Sequence, residues 1–154
     1  MMDRLETRVP PLVWLLVFAG VILGISTLDL GWEVAGGGGS VGLLVGVIGL
    51  FIAALGVVDV VGEGTTVDPN DLSKTNTLVT KGVYRLSRNP MYLGMAIVLL
   101  GLGLGLEDPL AAIVGVGGFV VVITRLQIIP EERALLKRFP SAYPQFQQRT
   151  RRWL

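Results

Sequence analysis

Four apolar blocks, separated by polar links, decide what this chain can fold into. They span about residues 12–28, 41–61, 91–106 and 109–129 and contain almost no charged side chains. Apolar stretches of this length are typical of helices that cross a lipid bilayer. Only 16% of the 154 residues are charged, against roughly 25% in soluble proteins. The sequence therefore predicts an all-α integral membrane protein with four transmembrane helices.

A signal peptide is the alternative interpretation of the first apolar block. This block is long for a signal peptide and lacks a convincing small-x-small cleavage site. Three further apolar blocks follow it, so we interpret it as a spanning helix. Nothing in the sequence marks a boundary between domains, and residues 1–154 are expected to form one.

Composition excludes several kinds of chemistry. The chain has no cysteine and no histidine, which argues against metal sites and against a Ser-His-Asp triad. Its net charge of +1 gives no general attraction to nucleic acid. The Gly101-x-Gly-x-Gly105 pattern lies within an apolar block, with no strand before it. It is therefore not the fingerprint of a Rossmann domain.

The positions of the basic residues predict the topology. All 13 Lys and Arg residues lie at the N-terminus, in the 62–90 loop, or from Arg125 onward. The two opposite links carry only acidic charges, such as Glu107 and Asp108. Because basic loops remain in the cytoplasm, both termini are expected to be cytoplasmic. The two long polar segments then meet at one membrane surface.

The 62–90 loop ends in residues that suit the start of a helix. Pro90 fits a first helical turn, and Asn89 stands at the N-cap position. Arg88 and free backbone N–H groups at this point favour an anionic ligand. Asp108-Pro109 similarly predicts a cap and a first turn for the fourth apolar block. Pro130 is expected to end that block, and residues 130–154 to form a cytoplasmic interfacial cap.

An acidic pair, Glu131-Glu132, directly follows the fourth block on the predicted cytoplasmic side. Two carboxylates can hold an ammonium group, and Arg88 can hold a carboxylate. Tyr84 and Tyr92 offer aromatic faces to a cation. Together these side chains suit a ligand that has an amino-acid group and a positive centre.

The same residues resemble a known family. Val79-Thr-Lys-Gly-Val-Tyr-Arg85, Arg88-Asn-Pro-Met-Tyr-Leu-Gly94, Glu131-Glu132-x-x-Leu135 and Phe139-Pro-Ser-Ala-Tyr143 are similar to the ordered motifs of the isoprenylcysteine carboxyl methyltransferases. That superfamily includes the membrane phospholipid N-methyltransferases. The resemblance covers residues 65–154 well and the first two spans by hydropathy only.

The resemblance implies S-adenosylmethionine as the cofactor, bound without a Rossmann domain in a cytoplasm-facing pocket that the C-terminal segment caps. The acceptor would be a lipid or small hydrophobic molecule that enters from the membrane lipids. By motif position, the implied cofactor-binding residues are Asn76, Thr77, Leu78, Val79, Tyr84, Asn89, Pro90, Met91, Tyr92, Glu131 and Glu132. Glu131 and Arg88 are the candidate catalytic residues.

Two departures from the family pattern bear on the substrate. Asn89 replaces the motif histidine, as in the phospholipid enzymes, and cannot titrate. Gln127 stands where the carboxyl methyltransferases place an arginine for the substrate carboxylate, which argues against prenylcysteine.

Two alternatives remain at this point: a non-enzymatic four-helix membrane scaffold, and an NADPH enzyme like the sterol reductases, which are much longer chains. The glycine-rich spans also leave homodimerisation open.

Overall fold

The computed structural model describes residues 9–28, 36–64 and 77–154, and helices make up almost all of this part. The α-helices are α1 Pro11–Ser26, α2 Gly38–Gly62, α3 Pro90–Gly105, α4 Pro109–Ile123, α5 Ile129–Arg138 and α6 Ala142–Arg149. A 3₁₀ turn, Gly82–Arg85, precedes α3, and a π-helical segment, Thr124–Ile128, joins α4 to α5. No strand occurs in the described ranges. The all-α prediction is confirmed for them.

Prolines begin three of the apolar helices. Pro11, Pro90 and Pro109 occupy the first turns of α1, α3 and α4, where their missing N–H groups cost no helical hydrogen bond. The cap of α4 is as predicted, because the Asp108 Oδ1 atom accepts a hydrogen bond of 2.9 Å from the Ala111 N–H. Asn89 stands at the N-cap of α3, but its side chain makes no capping bond.

Glycines let α2 and α3 pack backbone to backbone in antiparallel directions. A Cβ atom at Gly49 would lie 2.7 Å from the Gly94 carbonyl oxygen, and one at Gly56 would lie 2.8 Å from the Met91 side chain. Gly42 faces Gly105 in the same way at the other end of the pair. On this face of α2, therefore, the glycines make a contact within the chain. In the sequence the same glycines had left homodimerisation open.

The second half of the core joins α1 and α4 to α3. Ile22, Leu99, Phe119 and Ile123 are fully buried in one cluster. Phe18 of α1 meets Phe119 of α4 edge to face, with ring centroids 6.1 Å apart. The four apolar helices therefore form an antiparallel bundle, in which α3 contacts all the others.

Pro130 does not end the fourth apolar helix as we predicted. Residues Pro109–Arg138 form one continuous helical stretch, which passes through the π-helical segment just before Pro130. The Ile129 N–H bonds to the Thr124 carbonyl oxygen, five residues back. This wider turn allows the chain to pass a proline that has no N–H to donate. A break comes later, at Phe139–Ser141, so that two helices, α5 and α6, stand where one interfacial helix was expected.

The surface of the bundle is apolar, as expected for a membrane protein. Two stretches, Gly38–Gly62 and Pro109–Arg138, are long and apolar enough to cross a membrane, while α1 and α3 are shorter apolar helices. Leu43, Leu50 and Phe51 of α2 and Ile113 of α4 are each more than 60% exposed. A helix that is apolar on every side and little buried by protein is typical of a membrane span.

The α2–α3 contact predicts a difference between two neighbouring glycines. Gly49→Ala would force a Cβ atom against the α3 backbone and should lower the stability by about 1–3 kcal/mol. Gly46→Ala has no atom within 4 Å of its new Cβ and should be neutral or slightly stabilising, because alanine favours helices. Thermal unfolding in detergent measures both. Equal melting temperatures for the two variants would contradict this packing.

Candidate functional site

The polar segments meet at one end of the bundle, beyond the C-terminal end of α2. Asp59 of α2 fixes the 3₁₀ turn, because its Oδ2 atom accepts a hydrogen bond of 2.9 Å from the Val83 N–H. Gly82 has a φ of +56° and lies against the Asp59 carboxylate, so that a side chain would not fit there. This turn directs Tyr84 into a small buried cluster with Val79 and Tyr143. Burial, followed by the charges of Glu131 and Asp59, raises the pKa of Tyr84.

The C-terminal tail folds back onto the start of α3. The Arg152 carbonyl oxygen accepts hydrogen bonds from Asn89 Nδ2 at 2.9 Å and from Ser87 Oγ at 3.2 Å. The Arg88 N–H donates to the Arg151 carbonyl oxygen at 3.0 Å. The side chain of Asn89 therefore holds the tail and does not cap its own helix. Ser87 is fully buried in this contact.

Glu132 joins the tail to the loop before α3. Its Oε1 atom lies 3.0 Å from Arg88 Nη2 and accepts a bond of 3.0 Å from Arg152 Nε, while its Oε2 atom accepts one of 2.8 Å from Arg152 Nη2. The hydrogen bond to Glu132 raises the pKa of Arg152. The Glu132 side chain is 12% exposed and that of Arg88 10%. One nearly buried carboxylate therefore holds two guanidinium groups from different segments.

Glu131 contacts a different partner from its neighbour. The Tyr92 hydroxyl donates a hydrogen bond of 2.5 Å to Glu131 Oε1. Successive residues of an α-helix point about 100° apart, so the two adjacent carboxylates face different groups. The Glu131–Tyr92 pair joins α5 to the first turn of α3. Tyr84 is close enough for its ionisation to be affected by Glu131.

Arg88 has hydrogen-bonding capacity that the fold does not use. Its Nε and Nη1 atoms are buried and have no hydrogen-bond partner in the described part of the chain. The guanidinium carbon lies 6.0 Å from the centroid of the Tyr143 ring. Burial and the Glu132 charge raise the pKa of Tyr143 to about 12. Tyr143 is thus neutral at physiological pH and offers the guanidinium an uncharged aromatic face.

The structure brings most of the sequence-predicted residues to this one end. Tyr84, Arg88, Asn89, Tyr92, Glu131 and Glu132 are connected by the contacts above. Val79 is buried beside Tyr84, and Leu78 is packed against the same cluster. Pro90 is buried and Met91 packs against Gly56 of α2, while Thr77 is exposed. Asn76 lies outside the described residues.

Sequence reasoning placed the C-terminal segment over the cofactor pocket but did not single out Arg152 and Trp153. Arg152 makes the bonds to Glu132, and Trp153 Nε1 donates 3.2 Å to the Thr124 hydroxyl of the π-helical segment. Trp153 also packs against the main apolar core. The Arg-Arg-Trp ending was interpreted as the end of an interfacial helix. A tryptophan beside two arginines at the end of the chain was the available signal.

Gln127, which stands where the resemblance implies an arginine in the carboxyl methyltransferases, makes a structural contact. It is fully buried, and its Nε2 atom donates a hydrogen bond of 2.6 Å to the Val9 carbonyl oxygen. The side-chain amide thus ties the π-helical segment to the residues before α1. Its Oε1 atom is buried and lacks a partner among the described residues.

Comparison with known proteins identifies the family of this chain. The family model described as phospholipid methyltransferase matches residues 39–142. The chain belongs to the phospholipid methyltransferase family. The match runs from α2 to the start of α6, so it includes both Glu131-Glu132 and the Arg88–Gly94 motif.

A second comparison finds a protein of Haemophilus influenzae described only as uncharacterized. It is 41% identical over 64 residues, which are 42% of this chain and the whole of that protein. No solved structure matches the chain. The family membership confirms the resemblance seen in the sequence motifs.

The Glu132 contacts predict a large loss of stability for Glu132→Gln. This change leaves Arg88 and Arg152 without their common counter-charge and should cost about 3 kcal/mol, as for other buried ion pairs that lose one partner. Glu63→Gln is the matched control, because Glu63 pairs with Lys81 at 3.5 Å on the exposed surface, where a pair contributes at most about 1 kcal/mol. Chemical unfolding in detergent gives the free energy of unfolding of each variant. Similar losses in both variants would be inconsistent with a central role for Glu132.

Proposed function

We propose that this protein transfers a methyl group from S-adenosylmethionine to a lipid or small hydrophobic acceptor at the cytoplasmic face of a membrane. Family membership supports methyl transfer. The observation that carries the cofactor assignment is that Arg88, a buried arginine with unused donors, lies at the same end of the bundle as Glu131, a carboxylate bound to the Tyr92 hydroxyl. These groups come from two segments that meet where the apolar helices end.

The residues at this end fit the amino-acid part of the cofactor. Arg88 presents two buried N–H-bearing nitrogens without partners in the described residues, and a guanidinium with free donors suits a carboxylate. Within residues 9–28, 36–64 and 77–154, the Glu131 carboxylate accepts a side-chain hydrogen bond from the Tyr92 hydroxyl alone, so it can also accept from an ammonium group. Glu132 is engaged with Arg88 and Arg152, and we assign it to holding the site together.

The bound cofactor supplies an electrophilic methyl group on a sulfonium. The chain's own contribution is to position the acceptor and to exclude water. An amine acceptor must lose a proton before or during the transfer, and Glu131 is the carboxylate best placed to accept it. The Tyr92 hydroxyl orients Glu131 for this role by its hydrogen bond. A thiolate or carboxylate acceptor would require no such step.

The contacts of Gln127 support an acceptor other than a carboxylate. Its amide nitrogen is occupied by the Val9 carbonyl oxygen, and it carries no charge to hold an anionic substrate. Arg125, two residues earlier, has an exposed side chain and does not take the place of the missing arginine. We therefore favour a lipid with a neutral or amine acceptor atom over a prenylcysteine carboxylate.

For the membrane arrangement we propose four spans, formed by α1, α2, α3 and the α4–α5 stretch. The 16 residues of α1 and of α3 cover about 24 Å each, and polar segments continue both toward the surface. Glu107 joins the links at the far end by accepting a bond of 2.8 Å from the Gly38 N–H. The described basic residues, from Lys81 to Arg88 and from Arg125 onward, lie at the end that holds Glu132, which the positive-inside rule assigns to the cytoplasm.

Binding of S-adenosylhomocysteine to the detergent-purified protein tests the cofactor assignment. Glu131→Gln removes the charge that attracts the ammonium group, and Tyr92→Phe removes the hydrogen bond that orients Glu131, so each should weaken binding about tenfold or more. Glu63→Gln should bind as the wild type does. Calorimetry gives the dissociation constants. A folded wild-type protein that does not bind would overturn the assignment and leave the scaffold interpretation.

A transfer assay tests the acceptor class. Purified protein is given S-adenosylmethionine with a labelled methyl group and vesicles that contain an aminophospholipid, or a prenylcysteine in detergent. We expect label in the lipid fraction and none in the prenylcysteine, with Glu131→Gln reducing the rate more than it reduces cofactor binding. Methylation of the prenylcysteine alone would contradict the interpretation of Gln127.

A further inference from the structure

A cavity lies at the same end of the molecule as the candidate site, between the 3₁₀ turn and α6. It has a volume of about 540 Å³, within the range of pockets that hold small ligands. Its lining includes Lys81 and Arg85 from the turn and Arg149 from the end of α6, and no acidic residue. None of the arginine, tyrosine or glutamate residues of the candidate site above lines it.

Two of these three cations are not neutralised by the described part of the chain. Arg85 and Arg149 are exposed and make no hydrogen bond or ion pair to a described residue. Lys81 has an exposed contact of 3.5 Å to Glu63, which lies just beyond the end of α2. Cations held close together without counter-charges repel one another, and an anion in the cavity removes that repulsion.

The remaining lining favours a ligand that is anionic at one end and apolar elsewhere. Thr80, Gln145 and Thr150 offer hydrogen-bonding groups, while Leu78 and Phe146 provide apolar surface. Phe146 belongs to the small buried cluster that also contains Tyr84. The wall of the cavity that Phe146 forms is therefore held in place by the packing of that cluster. Arginine donors in this setting match phosphate oxygens.

We propose that this cavity is an anion-binding site that takes the phosphate group of a small molecule or of a phospholipid head group. Its position at the end of α2, level with the charged end of the bundle, places it where lipid head groups lie if α2 crosses the membrane. The cavity shares only Leu78 with the residues that the family resemblance implies for the cofactor, and the proposal does not depend on methyl transfer.

The test is native mass spectrometry of the full chain in detergent. Phosphatidylglycerol, phosphatidylcholine and soluble glycerol 3-phosphate are the three probes. Arg85→Gln combined with Arg149→Gln removes two cavity cations. Arg125→Gln combined with Lys137→Gln removes two exposed cations that do not line the cavity and serves as the matched control. Thermal unfolding verifies that both double variants remain folded.

We expect one tightly retained phosphate-bearing molecule per chain, with affinity about tenfold or more lower in the cavity variant and unchanged in the control, since each interfacial cation contributes measurably to binding an anionic lipid. Retention of a phospholipid but not of glycerol 3-phosphate identifies a lipid head-group site. Competition by glycerol 3-phosphate identifies a site for soluble phosphates. Equal loss in both double variants, or displacement of the probe by S-adenosylhomocysteine, would overturn the proposal of a separate site.

Discussion

The arrangement of the polar end depends on one carboxylate that two arginines share. Glu132 holds Arg88, which precedes α3, and Arg152, which lies in the C-terminal tail. Charges removed from water are costly unless they are paired and hydrogen-bonded. Because the pairing needs three segments distant in sequence, it forms only when α3, α5 and the tail are all in place. The same pairing leaves the Nε and Nη1 atoms of Arg88 without a hydrogen-bond partner among the described residues.

Hydropathy and the distribution of charge were sufficient to predict the helices and the common end of the polar segments. The first three predicted blocks agree with α1, α2 and α3 to within three residues, and the fourth begins at Pro109 as predicted, because apolar length and proline positions are local properties of the chain. The conjunction of Arg88 with Glu131 and Glu132 followed from topology and from motif order. These predictions needed no knowledge of side-chain packing.

The features that sequence reasoning missed depend on contacts between distant residues. Asn89 has the right identity and position for a cap, yet the Arg152 carbonyl oxygen competes for its side chain. Pro130 would normally end a helix, but the wider turn of the π-helical segment before it lets the helix continue. Sequence adjacency suggested that Glu131 and Glu132 act together, whereas helical geometry separates their partners. None of these outcomes can be inferred from local propensity.

The continuous helix from Pro109 to Arg138 fixes the distance between the Glu131-Glu132 pair and the far end of the bundle. Glu131 is 22 residues after Pro109, which corresponds to about 33 Å of helix. This is close to the thickness of the hydrocarbon core of a bilayer. In the proposed membrane arrangement, the length of this helix thus determines how far Glu131 and Glu132 lie from the opposite membrane boundary. The reacting groups would be placed at the water boundary by the length of a helix, and not by a flexible loop.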